Sequence, residues 1–163
     1  MAKKIYEACR RLLTTCANCQ PNENILIVTD TDSLEIGMAL WDAAEEFPKK
    51  TMVMMEPRKM HGEEPTPLVA AAMLKADVIF RATKFSLSHS HARRDACAAG
   101  ARDLNCCGYS IEMLEHGGLY TDFEADRKYV DQLLKSMADG DQVHITSEAG
   151  TDYYASIKGH KLF

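Results

Sequence analysis

Ile25-Leu26-Ile27-Val28-Thr29-Asp30-Thr31-Asp32-Ser33 is the stretch on which the fold turns. Four consecutive apolar residues, followed at once by hydroxyl and carboxylate groups, read as a strand covered on both faces with a polar loop at its carboxyl end. A strand hidden on both faces belongs in a parallel sheet between layers of helices. The next residues have the helical period. Ile36, Ala39, Leu40, Ala43, Ala44 and Phe47 share one face, which predicts a helix over 33–46. Asp32 and Glu35 stand at capping-box spacing at its start.

The same alternation extends outward in both directions. Upstream, Ile5, Ala8, Cys9, Leu12, Cys16 and Cys19 predict an amphipathic helix over 2–18, ended by Pro21-Asn22-Glu23. Downstream, Met52–Met55 reads as a second strand and 56–65 as a long polar loop. Thr66-Pro67 opens a helix with proline at its favoured first position. Asp77-Val78-Ile79-Phe80 is a third strand, residues 90–99 an alanine-rich helix stopped by Gly100, and 104–107 a weaker fourth strand. Ser110 and Thr121 mark successive helix starts. Glu124 completes a capping box with Thr121, and Val130, Leu133, Leu134 and Met137 supply a buried face before Gly140. Val143–Thr146 and Tyr153–Ile157 then flank a turn at 148–151.

These elements predict an α/β fold: a three-layer, Rossmann-like or flavodoxin-like parallel sheet of about four strands flanked by helices, plus a C-terminal β-hairpin. The expected organisation is an α/β domain over 1–140 and a hairpin over 141–163. A hairpin is marginal alone, so 141–163 is expected to lead into a further domain absent from this chain.

Composition narrows the function. With 46% hydrophobic and 26% charged residues, the chain is neither disordered nor fibrous. Nineteen Lys and Arg against 24 Asp and Glu give a net charge of −5, which argues against nucleic acid as a partner. No apolar run approaches the roughly 18 residues of a membrane span, and the start, Met1-Ala2-Lys3-Lys4-Ile5-Tyr6-Glu7, has no apolar h-region. A cytoplasmic location with no membrane partner is the expectation. The six cysteines then default to reduced, packing thiols, including the Cys16-Ala17-Asn18-Cys19 pair, which ends a helix instead of starting one.

In a parallel sheet, ligands bind beyond the carboxyl ends of the strands. Three loops would lie there: Thr29–Ser33, Met60–Glu64 and Lys84–His91. Asp30 and Asp32 have the types needed for a Mg²⁺-dependent phosphatase-like centre, or for plain turns and caps. His61, Glu63 and Glu64 are of the types that ligate metals, but the composition of their loop reads as a solvated connection. Ser88 and Ser90 are each placed to cap the next helix, and Arg93 and Arg94 in its first turns favour a small anion there. His89 and His91, two residues apart, share one side of an extended segment, and each is a candidate functional group or else a surface or cap-packing histidine. The standard nucleotide-binding, zinc-protease and serine-hydrolase signatures do not occur.

Taken in order, Ile25–Thr31, His61-Gly62-Glu63-Glu64-Pro65, Ser86-Leu87-Ser88-His89-Ser90-His91-Ala92-Arg93 and Ala149-Gly150-Thr151-Asp152 resemble the N-terminal half of the leucyl aminopeptidase family known as aminopeptidase T or S. The 2,5-dihydroxypyridine 5,6-dioxygenases share the fold of that family. The resemblance covers about Ile5 to Ile157. It implies proteins roughly twice this length, with Zn, Co or Fe held by ligands in the C-terminal half. No metal ligand carries over to this chain, which alone would be inactive. The resemblance also implies a homo-oligomer acting on a small molecule or short peptide. The domain would line the substrate cleft, with His89 as the catalytic group and Ser88, Arg93, Asp30 and His61 binding substrate. Tyr153 and Tyr154 on the hairpin are candidate contact residues.

Overall fold

The computed structural model describes residues 2–161; Met1 and the last two residues of the 141–163 segment, Leu162 and Phe163, lie outside them. Strand β1 (Ile25–Asp30) is buried along its whole length. It lies between β2 (Lys50–Met55) and β3 (Val78–Ala82), and β4 (Arg102–Asn105) completes the order β2-β1-β3-β4, all parallel. Alternate residues of β1 face opposite layers. Ile25 and Ile27 pack with residues of α1 (Lys3–Arg11), α2 (Leu34–Ala43) and α5 (Ile111–His116). Leu26 and Val28 pack with residues of α3 (Pro67–Met73) and α4 (His91–Ala98). The expected α/β architecture with its C-terminal hairpin is present.

Several boundaries differ, each for a physical reason. The first helix does not run to 18 as an α-helix: after Arg11 it widens into a single π turn, Leu12–Cys16. A π turn inserts an extra residue and rotates the side chains beyond it about the helix axis. Cys16 is accordingly exposed and does not continue the buried stripe of Ile5, Ala8 and Cys9. β2 starts at Lys50 because its register pairs Ile25 with Lys50. β4 starts at Arg102, opposite Val78, and not at 104. In both cases the neighbouring strand sets the ends.

The caps divide in the same way. Thr66 Oγ1 accepts the Val69 N–H at 3.4 Å, Ser90 Oγ that of Arg93 at 3.2 Å and Ser110 Oγ that of Met113 at 3.2 Å. Asp32 does not cap α2: Ser33 holds that position, with no side-chain cap. Thr121 is not the cap of the next helix, α6 (Phe123–Met137). Asp122 Oδ1 accepts from the Glu124 and Ala125 N–H groups, both at 3.1 Å.

The chain divides into two compact units at Tyr120/Thr121. The second unit contains α6 and an antiparallel hairpin of β5 (Gln142–Thr146) and β6 (Asp152–Ser156), with Ile145 opposite Tyr153. No residue of α6 is buried. Val130 and Leu133 are exposed, and Leu134 and Met137 only half-buried, so the face read as buried is not. One helix and a hairpin are too few elements to close a core. Tyr153 and Tyr154 are exposed, and Tyr154 stacks on His144 with ring centres 3.8 Å apart. Among the described residues no helix is long and apolar enough to cross a membrane.

Candidate functional site

The strand order places a topological switch between β1 and β3. From β1 the chain turns to α2 on one face, and from β3 to α4 on the other, so their loops diverge at the carboxyl edge. Asp30 spans this point. It is 1% exposed, with Oδ1 accepting the Ser33 N–H at 2.9 Å and Oδ2 the Lys84 N–H at 2.7 Å. The carboxylate therefore clamps the β1–α2 loop to the β3–α4 loop from beneath. Asp32 lies outside it and pairs with Lys84 Nζ at 2.7 Å, which raises the lysine pKa chiefly through that hydrogen bond. The two aspartates thus diverge, one to backbone and one to an ammonium, and do not converge on a common cation.

The loop after β2 is tied to the loop after β3, contrary to the expectation of a merely solvated connection. His61 Nδ1 accepts the Ser86 N–H at 3.0 Å, which leaves the ring proton on Nε2. The Gly62 N–H donates to the Ser86 carbonyl at 2.7 Å. Gly62 has φ +85°, and a Cβ there would lie 3.5 Å from the His89 Cβ, so the two loops touch at this place. Phe85 meets the His61 ring edge-on, with centroids 5.3 Å apart.

The anion position expected at the start of α4 is filled by the protein itself. The Glu64 carboxylate accepts the N–H groups of His91 and, at 3.1 Å, Ala92. These backbone bonds, that to His91 first, hold its carboxyl below the usual glutamate range. A carboxylate at a helix N-terminus satisfies both the free donors and the dipole. Arg93 turns inward to Asp103, 3.0 Å from Oδ2, and Arg94 pairs with Asp95. Both arginines are thus engaged by carboxylates of the chain while remaining partly exposed, Arg93 at 39% and Arg94 at 64%.

Of the residues singled out from sequence, His61, Ser88 and His89 share one rim. Asp30 lies buried beneath it, and Arg93 belongs to an internal ion pair. The His89 side chain is exposed and makes no hydrogen bond among the described residues. Ser90 is the cap, its Oγ also donating to the Leu87 carbonyl at 2.8 Å. Ser88 does not cap: its N–H donates to Ser86 Oγ at 3.1 Å, and its Oγ lies 2.8 Å from Ser86 Oγ.

Behind the rim lies a group that sequence reasoning missed. Arg81, 1% exposed, forks onto Asp103 through Nε at 2.6 Å and Nη2 at 2.8 Å. Nη2 also reaches Ser88 Oγ at 3.2 Å. The available signal was a charged residue continuing the apolar run Val78-Ile79-Phe80. An arginine that keeps a buried strand going must carry its counter-charge with it.

Among the described residues no three or more His, Cys, Asp or Glu side chains are grouped so as to hold a metal ion. The donor set here does not fit a resident metal. A family model described as NicX, 2,5-dihydroxypyridine 5,6-dioxygenase, matches residues 4–163. No match was found among curated proteins or among solved structures.

Proposed function

The chain belongs to the 2,5-dihydroxypyridine 5,6-dioxygenase family, and from that premise we propose that it is the cleft-lining domain of an iron-dependent enzyme that opens a hydroxylated pyridine ring with dioxygen. The match over residues 4–163 carries this reading. It supports the ring-opening branch of the resemblance over removal of N-terminal residues from peptides. The metal ligands would come from outside this chain, in a domain that follows it.

The contribution of this chain is to bind, orient and exchange protons. The rim at the β1/β3 switch offers His61 Nε2–H, the Ser86 and Ser88 hydroxyls and the His89 imidazole, on loops cross-linked by the Gly62 N–H to the Ser86 carbonyl and by the Ser86 N–H to His61 Nδ1. Such cross-links hold donors in place before a ligand arrives, which spares the ordering cost of binding. In this reading His89, exposed and without a hydrogen bond among the described residues, takes a proton from a ring hydroxyl or returns it. Asp30 and Glu64 keep the three loops in register and leave the substrate to the rim.

The test uses the full-length protein loaded with Fe²⁺ under air. Loss of the dihydroxypyridine absorbance with matching oxygen uptake is the expected result. His89→Ala should lower turnover by about 10²–10⁴, the usual contribution of a positioned acid or base. Full turnover in His89→Ala would remove this role. Hydrolysis of an aminoacyl p-nitroanilide without ring opening would move the assignment to the peptidase branch.

A further inference from the structure

Two guanidinium groups, those of Arg81 and Arg93, share one carboxylate, Asp103, whose side chain is 2% exposed. Arg81 Nε takes Oδ1, while Arg81 Nη2 and Arg93 Nε both take Oδ2. The cluster therefore keeps one unit of positive charge in excess, and Arg81 Nη1 is buried without a hydrogen-bond partner among the described residues. The Arg81–Asp103 pair is buried while Arg93 is 39% exposed, so the surplus charge lies toward solvent, where it favours an anion nearby.

The serine pair shows where that anion would bind. A hydroxyl has one proton to give and two lone pairs to fill. Ser88 Oγ accepts from Arg81 Nη2 and lies 2.8 Å from Ser86 Oγ, which in turn accepts the Ser88 N–H. One of the two hydroxyl protons is used between them. The other has no acceptor among the described residues, whichever serine carries it. Both serines are half-buried, open to the rim that also holds His61 and His89.

We propose that the Ser86–Ser88 hydroxyl pair, polarised from behind by the buried Arg81–Asp103 pair, is the binding site for the oxyanion of an ionised ring hydroxyl. The proposal rests on the ring-opening reading for the identity of the ligand, and on this chain's own residues for the site. Arg81 is a positioning residue, since it acts through Ser88 and does not itself reach the rim. The serine proton moves toward the ligand oxygen without transfer. The ligand's own proton leaves to solvent or to His89.

The experiment is an anaerobic titration of the full-length protein at constant pH, so that binding is read without turnover. The probes are 2,5-dihydroxypyridine and its 5-methoxy ether, which cannot present an oxyanion at that carbon. The wild type should show the ultraviolet signature of the ionised ring on binding, and should prefer the hydroxyl form by about tenfold or more, the range of a hydrogen bond to a charged group. Ser86→Ala/Ser88→Ala should lose both the signature and the preference, whereas Ser88→Thr, which keeps the hydroxyl, should retain them. Arg81→Lys should weaken the signature; because that change also disturbs a buried pair, the serine variants carry the test. Unchanged signature and preference in the double serine variant would overturn the proposal, as would failure of the wild type to bind either probe. Ring opening in air with unchanged serine variants would leave the function standing and remove this site. Anion binding with the spectral signature but no ring opening would do the reverse.

Discussion

Removal of the Asp30 carboxylate should unfold the first unit at markedly lower denaturant. Both oxygens accept backbone N–H groups, those of Ser33 at 2.9 Å and Lys84 at 2.7 Å, and the side chain is 1% exposed. A hydrogen bond to a charged acceptor contributes about 1.5–3 kcal/mol. Asp30→Ala loses both and leaves no replacement acceptor for either amide, an expected loss of about 3–6 kcal/mol. Asp30→Asn keeps one acceptor and turns a donor toward the other amide, so about half of that loss is expected. Against a total stability of about 5–15 kcal/mol for a typical domain, the alanine variant approaches the limit of folding. Urea unfolding followed by fluorescence of Trp41, the single tryptophan, reads the first unit, because Trp41 packs against its core. With a slope of about 1–3 kcal/mol per molar, the midpoint should fall by about 1 M or more. A loss below about 1 kcal/mol for Asp30→Ala would refute the clamp and return Asp30 to the groups free to meet a ligand.

The glycine in α2 and the cysteines give two further tests. A Cβ at Gly37 would meet the Thr29 Cβ and Oγ1 at 2.9 Å on the buried central strand, so Gly37→Ala should destabilise by about 1–3 kcal/mol despite the better helix propensity of alanine; a stabilised variant in thermal melts would contradict this packing. Burial pushes the Cys9 and Cys106 thiols up to about 12 and Cys19 to about 11. A raised pKa means little thiolate at pH 7.5, and alkylation that speeds up as pH rises. Exposed Cys16 should label ahead of Cys9, Cys19 and Cys106, which should label only on unfolding, as read by mass spectrometry of timed samples.

Local and long-range features were unevenly visible in the sequence. Thr66, Ser90 and Ser110 were legible as caps because a cap is decided within three residues. Asp32 and Thr121 have the same local chemistry, yet Lys84 draws Asp32 away across 52 residues and Asp122 takes the cap beside Thr121. The loops that carry His61 and His89 were placed on one edge by the parallel order of the strands. Their cross-links, Glu64 onto the start of α4 and His61 onto Ser86, join segments far apart in the chain and leave no periodic trace.

Sequence alone determined the layered α/β plan. The run Ile25–Val28 can be satisfied only by cover on both faces, and the 3.6-residue period of its flanks supplies that cover. Tertiary structure alone decided the electrostatics of the edge. β3 and β4 pair in parallel with Ile79 opposite Asp103, which brings that carboxylate, on the same sheet face, within reach of Arg81 two residues further along β3. Charge partners are chosen by strand register and not by spacing along the chain, so Arg81 and Asp103 could be matched only once the sheet had formed.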